Sequence, residues 1–280
     1  MDTDGQLYGI STWLYEEKGT EIEEALYKIA EAGFKCIEIW GNIFHLDPRI
    51  NQDVESIKAL VNKLDLCVHS IHTPFTGLNI GYPDINLEKE WLRIIGESLE
   101  YGAKLGAGIA VVHTYSYKEG MDEKMFGESK IIIKEFIEKL NKYAGQLDIR
   151  LAVENQLHFN TPHFAHSLKE LSILLDDNKI GFCFDIGHAS INGVETESEI
   201  AAAGKRLISI HVSNNDGNTD LHCLPTDGVL DWEKIRQQLK KYEYNGPYIL
   251  EVRGGNEPDI ILNQLRVYVE KEMKNEDSLL

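Results

Sequence analysis

The sequence predicts a single (β/α)8 barrel. Short runs rich in β-branched and aromatic residues alternate with longer helix-like stretches along its 280 residues. Eight such units in a chain of this length fit a closed barrel with a helix after each strand. The alternative is an open doubly wound sheet, which usually carries a glycine-rich phosphate turn after its first strand. The segment ISTWLYEEKGT after the first strand lacks such a turn.

Eight runs are predicted to be strands because they are dense in Val, Ile, Leu and Phe, as strands buried on both faces should be. The runs are LYGIST (7–12), CIEIWG (36–41), CVHSIHTP (67–74), GIAVVHTY (108–115), IRLAVENQ (149–156), IGFCFDIGH (180–188), LISIHVSNN (207–215) and PYILEVRG (247–254).

Helices are predicted between these strands, and the clearest span 21–33, 89–106 and 130–145. Their apolar residues recur at i, i+3 and i+4, and the first stretch ends at a glycine. Because there is no linker or low-complexity segment, residues 1–280 are expected to form one domain. The last eight or so residues, inside the polar end KEMKNEDSLL, are expected to be frayed.

Composition limits the classes of function. The chain is 42% hydrophobic, and it has no apolar run long enough for a transmembrane helix and no signal peptide at MDTDGQLYG. Four scattered cysteines without a CxxC pair indicate reduced core residues of a cytoplasmic protein. The net charge of −18 should repel a phosphate backbone. We therefore expect neither a nucleic acid nor a membrane as a partner.

Side chains that can bind metals recur at the C-terminal ends of the predicted strands, about one βα unit apart. In a barrel they would ring one end, here called the mouth, where barrel enzymes place their active sites. Each also has an ordinary explanation, such as a hydrogen-bonded histidine, a turn capped by Asp185, or a surface ion pair between Glu251 and Arg253. The strand-end residues are His72, His113, Glu154, Asp185, His188, His211 and Glu251.

Taken together, these residues predict a metal site. Carboxylates held close together repel one another, and a divalent cation removes that repulsion. A mixed imidazole and carboxylate set suits zinc, manganese, cobalt or iron, whereas magnesium prefers oxygen ligands alone. His211 would be a strand-end ligand. Asp220 and His222, two residues apart in one polar segment expected to be extended, would reach back over the same mouth.

Several motifs occur in the order typical of a known superfamily. They are HTPF with GLNIG, VVHTY, AVENQ, FDIGHA, HVSNNDG, DLHCLPTDGVLDW and LEVRG. From GISTW to EVRGG the chain resembles the xylose isomerase-like TIM barrels. These include the D-tagatose/D-psicose 3-epimerases and other sugar isomerases, the hydroxypyruvate isomerases, the inosose dehydratases and the endonuclease IV-type nucleases.

The resemblance implies one divalent metal ion (Mn, Co, Mg or Zn) held by the family's shared ligands. It also implies that Glu154 and Glu251 act as an acid–base pair, one taking a proton beside a carbonyl and the other returning it, through a metal-stabilised enediolate. The implied substrate is a small sugar or polyol. Members of the family are often dimers or tetramers, so the resemblance is compatible with a homo-oligomer. The implied metal ligands are Glu154, Asp185, His211 and Glu251.

Two other activities remain open. In the nuclease branch five further residues become ligands, for up to three zinc ions that act on abasic DNA. The other alternative is a metal-dependent dehydratase of a polyol-like substrate. The acidic segment LYEEKGT and the single cation Arg49 in GNIFHLDPR favour a sugar over DNA. The five additional residues, which would contact the substrate of a sugar enzyme, are His72, His113, His188, Asp220 and His222.

Cations and aromatic residues near the mouth refine the expected substrate. Arg253 would contact sugar hydroxyls, and only Arg253 and Lys118 are available for a phosphate, which favours an unphosphorylated sugar or polyol. Aromatic rings in sugar enzymes stack on the substrate, although packing in the core or in a lid is the ordinary alternative. The early loops should form a lid that excludes water. The aromatic residues are Trp13, Trp40, Phe44, Phe75 and Tyr115, of which Trp13 and Phe75 are the expected substrate contacts.

Overall fold

A computed structural model describes residues 8–50, 53–114, 123–158 and 165–277. Within them, eight parallel strands close into a barrel in sequential order, and β1 pairs with β8. The predicted (β/α)8 TIM barrel is confirmed. The strands are Tyr8–Ser11 (β1), Cys36–Trp40 (β2), Cys67–His72 (β3), Ile109–His113 (β4), Arg150–Glu154 (β5), Gly181–Asp185 (β6), Leu207–Val212 (β7) and Tyr248–Leu250 (β8).

Helices surround the barrel and bury their apolar faces against the outward side chains of the strands. Local signals set their ends. The side chain of Asp53 caps the start of α2, and Gly106, with φ of 85°, ends α3 in the left-handed conformation. The helices are Ile22–Glu31 (α1), Val54–Lys63 (α2), Ile85–Leu105 (α3), Glu123–Gln146 (α4), Leu168–Leu174 (α5), Ile186–Ile191 (α6), Thr196–Ala203 (α7), Trp232–Lys241 (α8) and Pro258–Asp277 (α9), with 3-10 turns at Thr12–Tyr15 and Gly204–Arg206.

Most predicted strands extended too far at their C-terminal ends. The run 180–188 shows why: β6 stops at Asp185, whose side chain accepts a hydrogen bond from the backbone N–H of His188 and so starts helix α6. The polar residues that lengthened these runs belong to the loops of the mouth. Helix α9 runs as far as Asp277, whereas residues 278–280, the end of the tail predicted to be frayed, lie outside the described residues.

The inside of the barrel is closed below the mouth by a small apolar cluster. Its members come from β4 to β7, and all are at most 8% exposed. They are Ile109, Val111, Ala152, Cys183 and Ile208. The mouth therefore does not open into a channel through the barrel. None of the helices in the described part of the chain is both long and apolar enough to cross a bilayer.

The cysteines only partly match the expected core positions. Cys36 and Cys183 are buried, Cys223 is partly buried and Cys67 is exposed. All four are unpaired. Cys67 opens β3 at the end of the barrel opposite the mouth, where the first residue of a strand can face solvent.

Candidate active site

Polar side chains converge at the C-terminal mouth of the barrel. Strand pairing brings them to one level, since His113 lies opposite Glu154 and Asp185 lies opposite His211. Burying so many ionisable groups is costly unless they are paired or bind a metal. The six strand-end residues His72, His113, Glu154, Asp185, His211 and Glu251 are all at most 7% exposed.

Four of these side chains form a central donor group. One donor atom from each of Glu154, Asp185, His211 and Glu251 lies within 4.8 Å of the other three. The Nδ1 atom of His211 is 3.2 Å from Oε2 of Glu251 and 3.5 Å from Oε1 of Glu154. This Nδ1 and Oδ2 of Asp185 are buried and lack a hydrogen-bond partner among the described residues. Unpartnered buried donor atoms beside two further carboxylates fit a divalent cation.

A second donor group lies beside the central one, at the ends of β3 to β5. It consists of His72, His113 and Glu154. The Nε2 atoms of the two histidines are 3.3 Å and 2.9 Å from Oε2 of Glu154. Glu154 thus directs one carboxylate oxygen towards each group, as a bridging ligand would.

A third donor group lies on the other side of the mouth. It consists of Asp185, His188 and His222. Asp220 is adjacent, with its Oδ1 atom 3.1 Å from Nε2 of His222 and 3.7 Å from Nε2 of His188. The four predicted metal ligands and the five further histidine and aspartate residues predicted to contact the substrate therefore all lie at one mouth.

Backbone carbonyls orient three of the histidines. The Nδ1 atom of His72 lies 3.1 Å from its neighbour's carbonyl, that of His188 lies 2.9 Å from the carbonyl of Asn155, and that of His222 lies 3.0 Å from the carbonyl of Glu251. A carbonyl oxygen only accepts, so each Nδ1 carries a hydrogen. Each Nε2 is thereby directed to the carboxylates of the mouth.

The loop that carries Asp220 and His222 is folded rather than extended. His222 has φ of 46°, in the left-handed region, and its carbonyl accepts a hydrogen bond from the backbone of Arg253. The side chain of Asn214 holds the loop closed, accepting from the N–H of Leu230 at 3.0 Å and donating to the carbonyl of Pro225 at 2.8 Å. The expected contact across the mouth is made by this turn, not by a strand-like segment.

Protons on the histidines with raised pKa values, His188 and His211 among them, balance the carboxylates when no cation is bound. Burial is the largest effect on Glu154 and opposes its charge, but His113 and His211 outweigh it and hold the pKa of Glu154 well below its usual range. Burial likewise opposes the charge of Glu251, yet His211 lowers the pKa of Glu251 to about 2. For Asp185 burial dominates and raises the pKa to about 6. A cation entering the site would replace these protons.

The metal-free protein is expected to lose stability at high pH through His222. Burial opposes its charge, but Asp220, then Glu251 and Asp185, outweigh burial and raise the pKa of His222 to about 9. The resulting stabilisation, on the order of 3 kcal/mol, is complete below the unfolded pKa near 6.5 and is lost as pH rises through 9. Urea melts of chelator-treated protein from pH 6 to 10 should show this loss. His222→Asn should flatten the profile, and equal slopes in both proteins would contradict the assignment.

Aromatic rings form one wall of a cavity of about 300 Å³ above the donor groups. The ring of Phe75 stacks on His113 at 4.1 Å between centroids, and Trp40 lies 4.5 Å from His72. Trp13 meets His222 edge-on at 4.7 Å. Phe44 does not line the cavity, and its ring meets that of His45 edge-on at 6.0 Å between centroids. The predicted residues Tyr115 and Lys118 lie outside the described residues.

Hydrogen bonds tie the loops after β2 and β3 together. Asn42 accepts from the backbone N–H groups of Phe75 and Thr76 and donates to the hydroxyl of Thr76. Arg49 binds the carboxylate of the buried Asp47 and the carbonyl of Thr76. Arg49, the cation proposed for this loop, is thus already paired with Asp47, although 31% of its side chain is exposed. The two loops hold Phe75 in the cavity wall.

The lining of the cavity carries four carboxylates and four histidines. Among its described residues Arg253 is the one lysine or arginine, and its Nε atom is 3.3 Å from Oε1 of Glu17 while its guanidinium lies over Trp13. Arg253 does not pair with Glu251, which is buried. Glu16 also lines the cavity, and its partial burial raises its pKa.

Sequence reasoning missed four polar residues of this region. Asn42, Glu16 and Gln156 line the cavity, and Glu38 lies fully buried below it. Two of them left a signal in the sequence: Glu16 belongs to the acidic segment LYEEKGT, and Glu38 is the single charge inside the apolar run CIEIW.

Residues 26–271 match a family described as the xylose isomerase-like TIM barrel. The chain belongs to this family. The match spans every strand from β2 to β8, and therefore all three donor groups.

Relatives cover almost the whole of this family member. It is 24% identical over 275 residues to the uncharacterized protein MJ1311 of Methanocaldococcus jannaschii, covering 94% of this chain and 89% of that protein. It is 22% identical over 270 residues to fructoselysine 3-epimerase of Escherichia coli O157:H7, covering 92% and 94%. A crystal structure of a D-tagatose 3-epimerase-like protein superposes with a TM-score of 0.82 at 20% identity, covering 97% and 99%.

Proposed function

We propose that this protein is a divalent-metal-dependent sugar isomerase or epimerase that moves a proton next to a carbonyl group. The supporting observation is that Glu154 and Glu251 both lie close to Nδ1 of His211 and to Asp185, and that the two glutamates line a cavity large enough for a small sugar. The names of the relatives, a fructoselysine epimerase and a tagatose epimerase-like protein, support the same substrate class.

The central donor group would hold one cation, with Mn, Co, Mg or Zn as candidates. Such a cation would supply positive charge for the substrate's carbonyl oxygen and for the enediolate that proton removal creates. The presence of an imidazole among three carboxylates favours manganese, cobalt or zinc over magnesium.

Glu154 and Glu251 would carry out the proton transfers. Both are ionised at neutral pH, since their pKa values are held low, and each can accept a proton. They come from β5 and β8, which are three strands apart in the ring, so they approach a substrate from different sides. One carboxylate would take the proton as the C–H bond breaks. The other would return a proton to the opposite face of the same carbon.

The other residues of the mouth would bind the substrate. The Nε2 atoms of the histidines and the carboxylate of Asp220 can bind sugar hydroxyls, and the rings can cover an apolar face of the sugar. The proposed substrate-binding residues are His72, His113, His188, Asp220, His222, Arg253, Trp13 and Phe75. A sugar substrate would place the protein in carbohydrate metabolism, and unpaired cysteines suit the reducing cytoplasm.

Proton exchange with solvent tests this proposal. The protein, loaded in turn with Mn²⁺, Co²⁺, Mg²⁺ and Zn²⁺, would be incubated with a panel of ketoses in deuterated water and followed by NMR. We expect the signal of the C–H group next to the carbonyl to disappear and a new epimer or isomer to form. A product that has lost one molecule of water from the substrate would indicate the dehydratase activity instead. Metal-loaded protein that exchanges no carbon-bound proton in any ketose would contradict the proposal.

An unphosphorylated substrate is expected to be preferred. The cavity carries the carboxylates of Glu16 and Asp220 beside the catalytic pair, and Arg253 is already paired with Glu17. Because like charges brought together cost several kcal/mol, kcat/KM for a ketopentose should exceed that for its 5-phosphate by at least about tenfold. Steady-state kinetics on D-ribulose and D-ribulose 5-phosphate would check this. If the protein instead prefers the 5-phosphate, and Arg253→Gln abolishes that preference, this prediction is wrong.

The second candidate is a zinc-dependent abasic-site nuclease. It is favoured by one observation, the presence of three donor groups rather than one. The net charge of −18 and the pairing of Arg49 with Asp47 oppose binding to DNA. Zinc-loaded protein that leaves abasic duplex DNA uncut would exclude this candidate. Incision of that DNA, with two or three zinc ions per chain by elemental analysis, would establish it.

A further inference from the structure

Glu38 is a buried carboxylate that the proposed proton transfers do not use. It lies on β2 below the mouth and has no exposed surface. Its Oε2 atom accepts a hydrogen bond from the hydroxyl of Ser70 at 2.8 Å and lies 3.3 Å from Nε2 of His211. Burying a carboxylate costs several kcal/mol unless it is well paired. The free energy spent on burying Glu38 therefore points to a role for its carboxylate.

The two ring nitrogens of His211 face different partners. Nε2 faces Glu38, while Nδ1 faces the carboxylates of Glu154, Asp185 and Glu251. An ionised carboxylate only accepts hydrogen bonds, so the contact with Glu38 places the hydrogen on Nε2. Nδ1 is then the nitrogen whose lone pair can bind a cation.

We propose that Glu38 is the positioning residue of His211, holding the imidazole so that Nδ1 is presented to the cation of the central donor group. This inference rests on the metal site of the proposed function. Glu38 would fix the angle of the ring, keep the hydrogen on Nε2, and strengthen Nδ1 as a donor by placing a negative charge behind the ring. Ser70 in turn fixes Glu38.

His211 differs in this respect from the other histidines of the mouth. His72, His188 and His222 are oriented by backbone carbonyls, which carry no net charge. His211 has no exposed surface and is oriented by a carboxylate from β2, three strands away around the ring. The one histidine of the central donor group is thus the one with a charged partner behind it. This distinction fits a role in binding a cation better than a role in packing.

Cobalt binding tests the proposal without measuring catalysis. Chelator-stripped wild-type protein, Glu38→Gln and Glu38→Leu would be titrated with Co²⁺ by calorimetry and by visible absorption. Glutamine keeps the shape and can still accept from Nε2, but it lacks the charge. Partners of metal-binding histidines typically contribute 10- to 100-fold to affinity, so we expect a loss of about tenfold for Glu38→Gln and about 100-fold for Glu38→Leu. The Co²⁺ absorption bands should shift in Glu38→Leu as the ring reorients.

Glu199→Gln is the matched control, because Glu199 is also a buried carboxylate but caps helix α5 through the N–H groups of Leu168 and Lys169. It should lower the melting temperature and leave the Co²⁺ affinity and bands unchanged. If Glu38→Gln binds Co²⁺ with wild-type affinity and absorption bands, the positioning role of Glu38 is overturned and the metal site is not. This result decides the question even if Glu38→Leu does not fold. Wild-type protein that binds no Co²⁺ would overturn both this inference and the metal site of the proposed function.

Discussion

Replacing either Glu154 or Glu251 with glutamine is expected to lower the turnover number by about a thousandfold or more, while sugar binding remains measurable. General acid–base catalysis contributes 10²- to 10⁴-fold, and an amide cannot accept the proton that the carboxylate takes. The amide oxygen can still act as a ligand, so a large part of the donor group is kept. Ketose turnover and binding calorimetry on each variant would measure the two effects separately.

Isotope exchange distinguishes the roles of the two glutamates. If each serves one face of the reacting carbon, each variant should still exchange deuterium into the epimer that its remaining glutamate can deprotonate. Glu154→Gln and Glu251→Gln should then lose exchange with opposite epimers, and both should lose net epimerisation. Glu199→Gln serves again as the control, because this buried acid lies in the helical layer. Full activity of Glu154→Gln on the true substrate would refute the paired-base mechanism.

The barrel and most of the mouth could be predicted because the strands end where their apolar character ends. His72, His113, Glu154 and Asp185 are each the last residue of a strand. In a parallel barrel all strand ends lie on one side, so a regular recurrence in sequence becomes proximity in space. The prediction needed no knowledge of the loops.

The same reasoning could not find Glu38. On strands buried on both faces, polarity does not reveal which side chains point into the barrel, and one Glu in CIEIW has no partner at a fixed spacing. Its contact with His211 joins residues 173 positions apart. The left-handed turn at His222 was equally unpredictable, because the loop that contains it is held by a hydrogen bond from the side chain of Asn214 to the carbonyl of Pro225.

Ligand identity alone does not separate a sugar enzyme from a nuclease on this fold. The three donor groups suit either one cation with hydroxyl-binding histidines or a cluster of cations. The difference lies in the side chains around the donors. Here Glu16 lines the cavity and would repel a phosphate backbone, while the nearby cations Arg253 and Arg49 are already paired with Glu17 and Asp47.

Removing the metal is expected to abolish activity and to lower the melting temperature by about 10 °C. A ligand present at 1,000 times its dissociation constant stabilises the native state by about 4 kcal/mol. For a domain of this size each kcal/mol shifts the melting temperature by roughly 2–4 °C. Calorimetric melts before and after dialysis against chelator, with elemental analysis of both samples, would measure the shift. Unchanged activity and melting temperature in metal-depleted protein would show that the mouth binds no functional cation.

Asp185→Asn separates the effect of the cation from that of charge repulsion. Burial raises the pKa of Asp185 to about 6, so its charge at neutral pH destabilises the metal-free protein by on the order of 3 kcal/mol. Asparagine removes that charge, and its side-chain oxygen can still accept the hydrogen bond from the N–H of His188. The metal-free variant should therefore melt above the metal-free wild type, and it should be stabilised less by added metal. A variant with a lower metal-free melting temperature would mean that the carboxylate of Asp185 serves the fold rather than the cation.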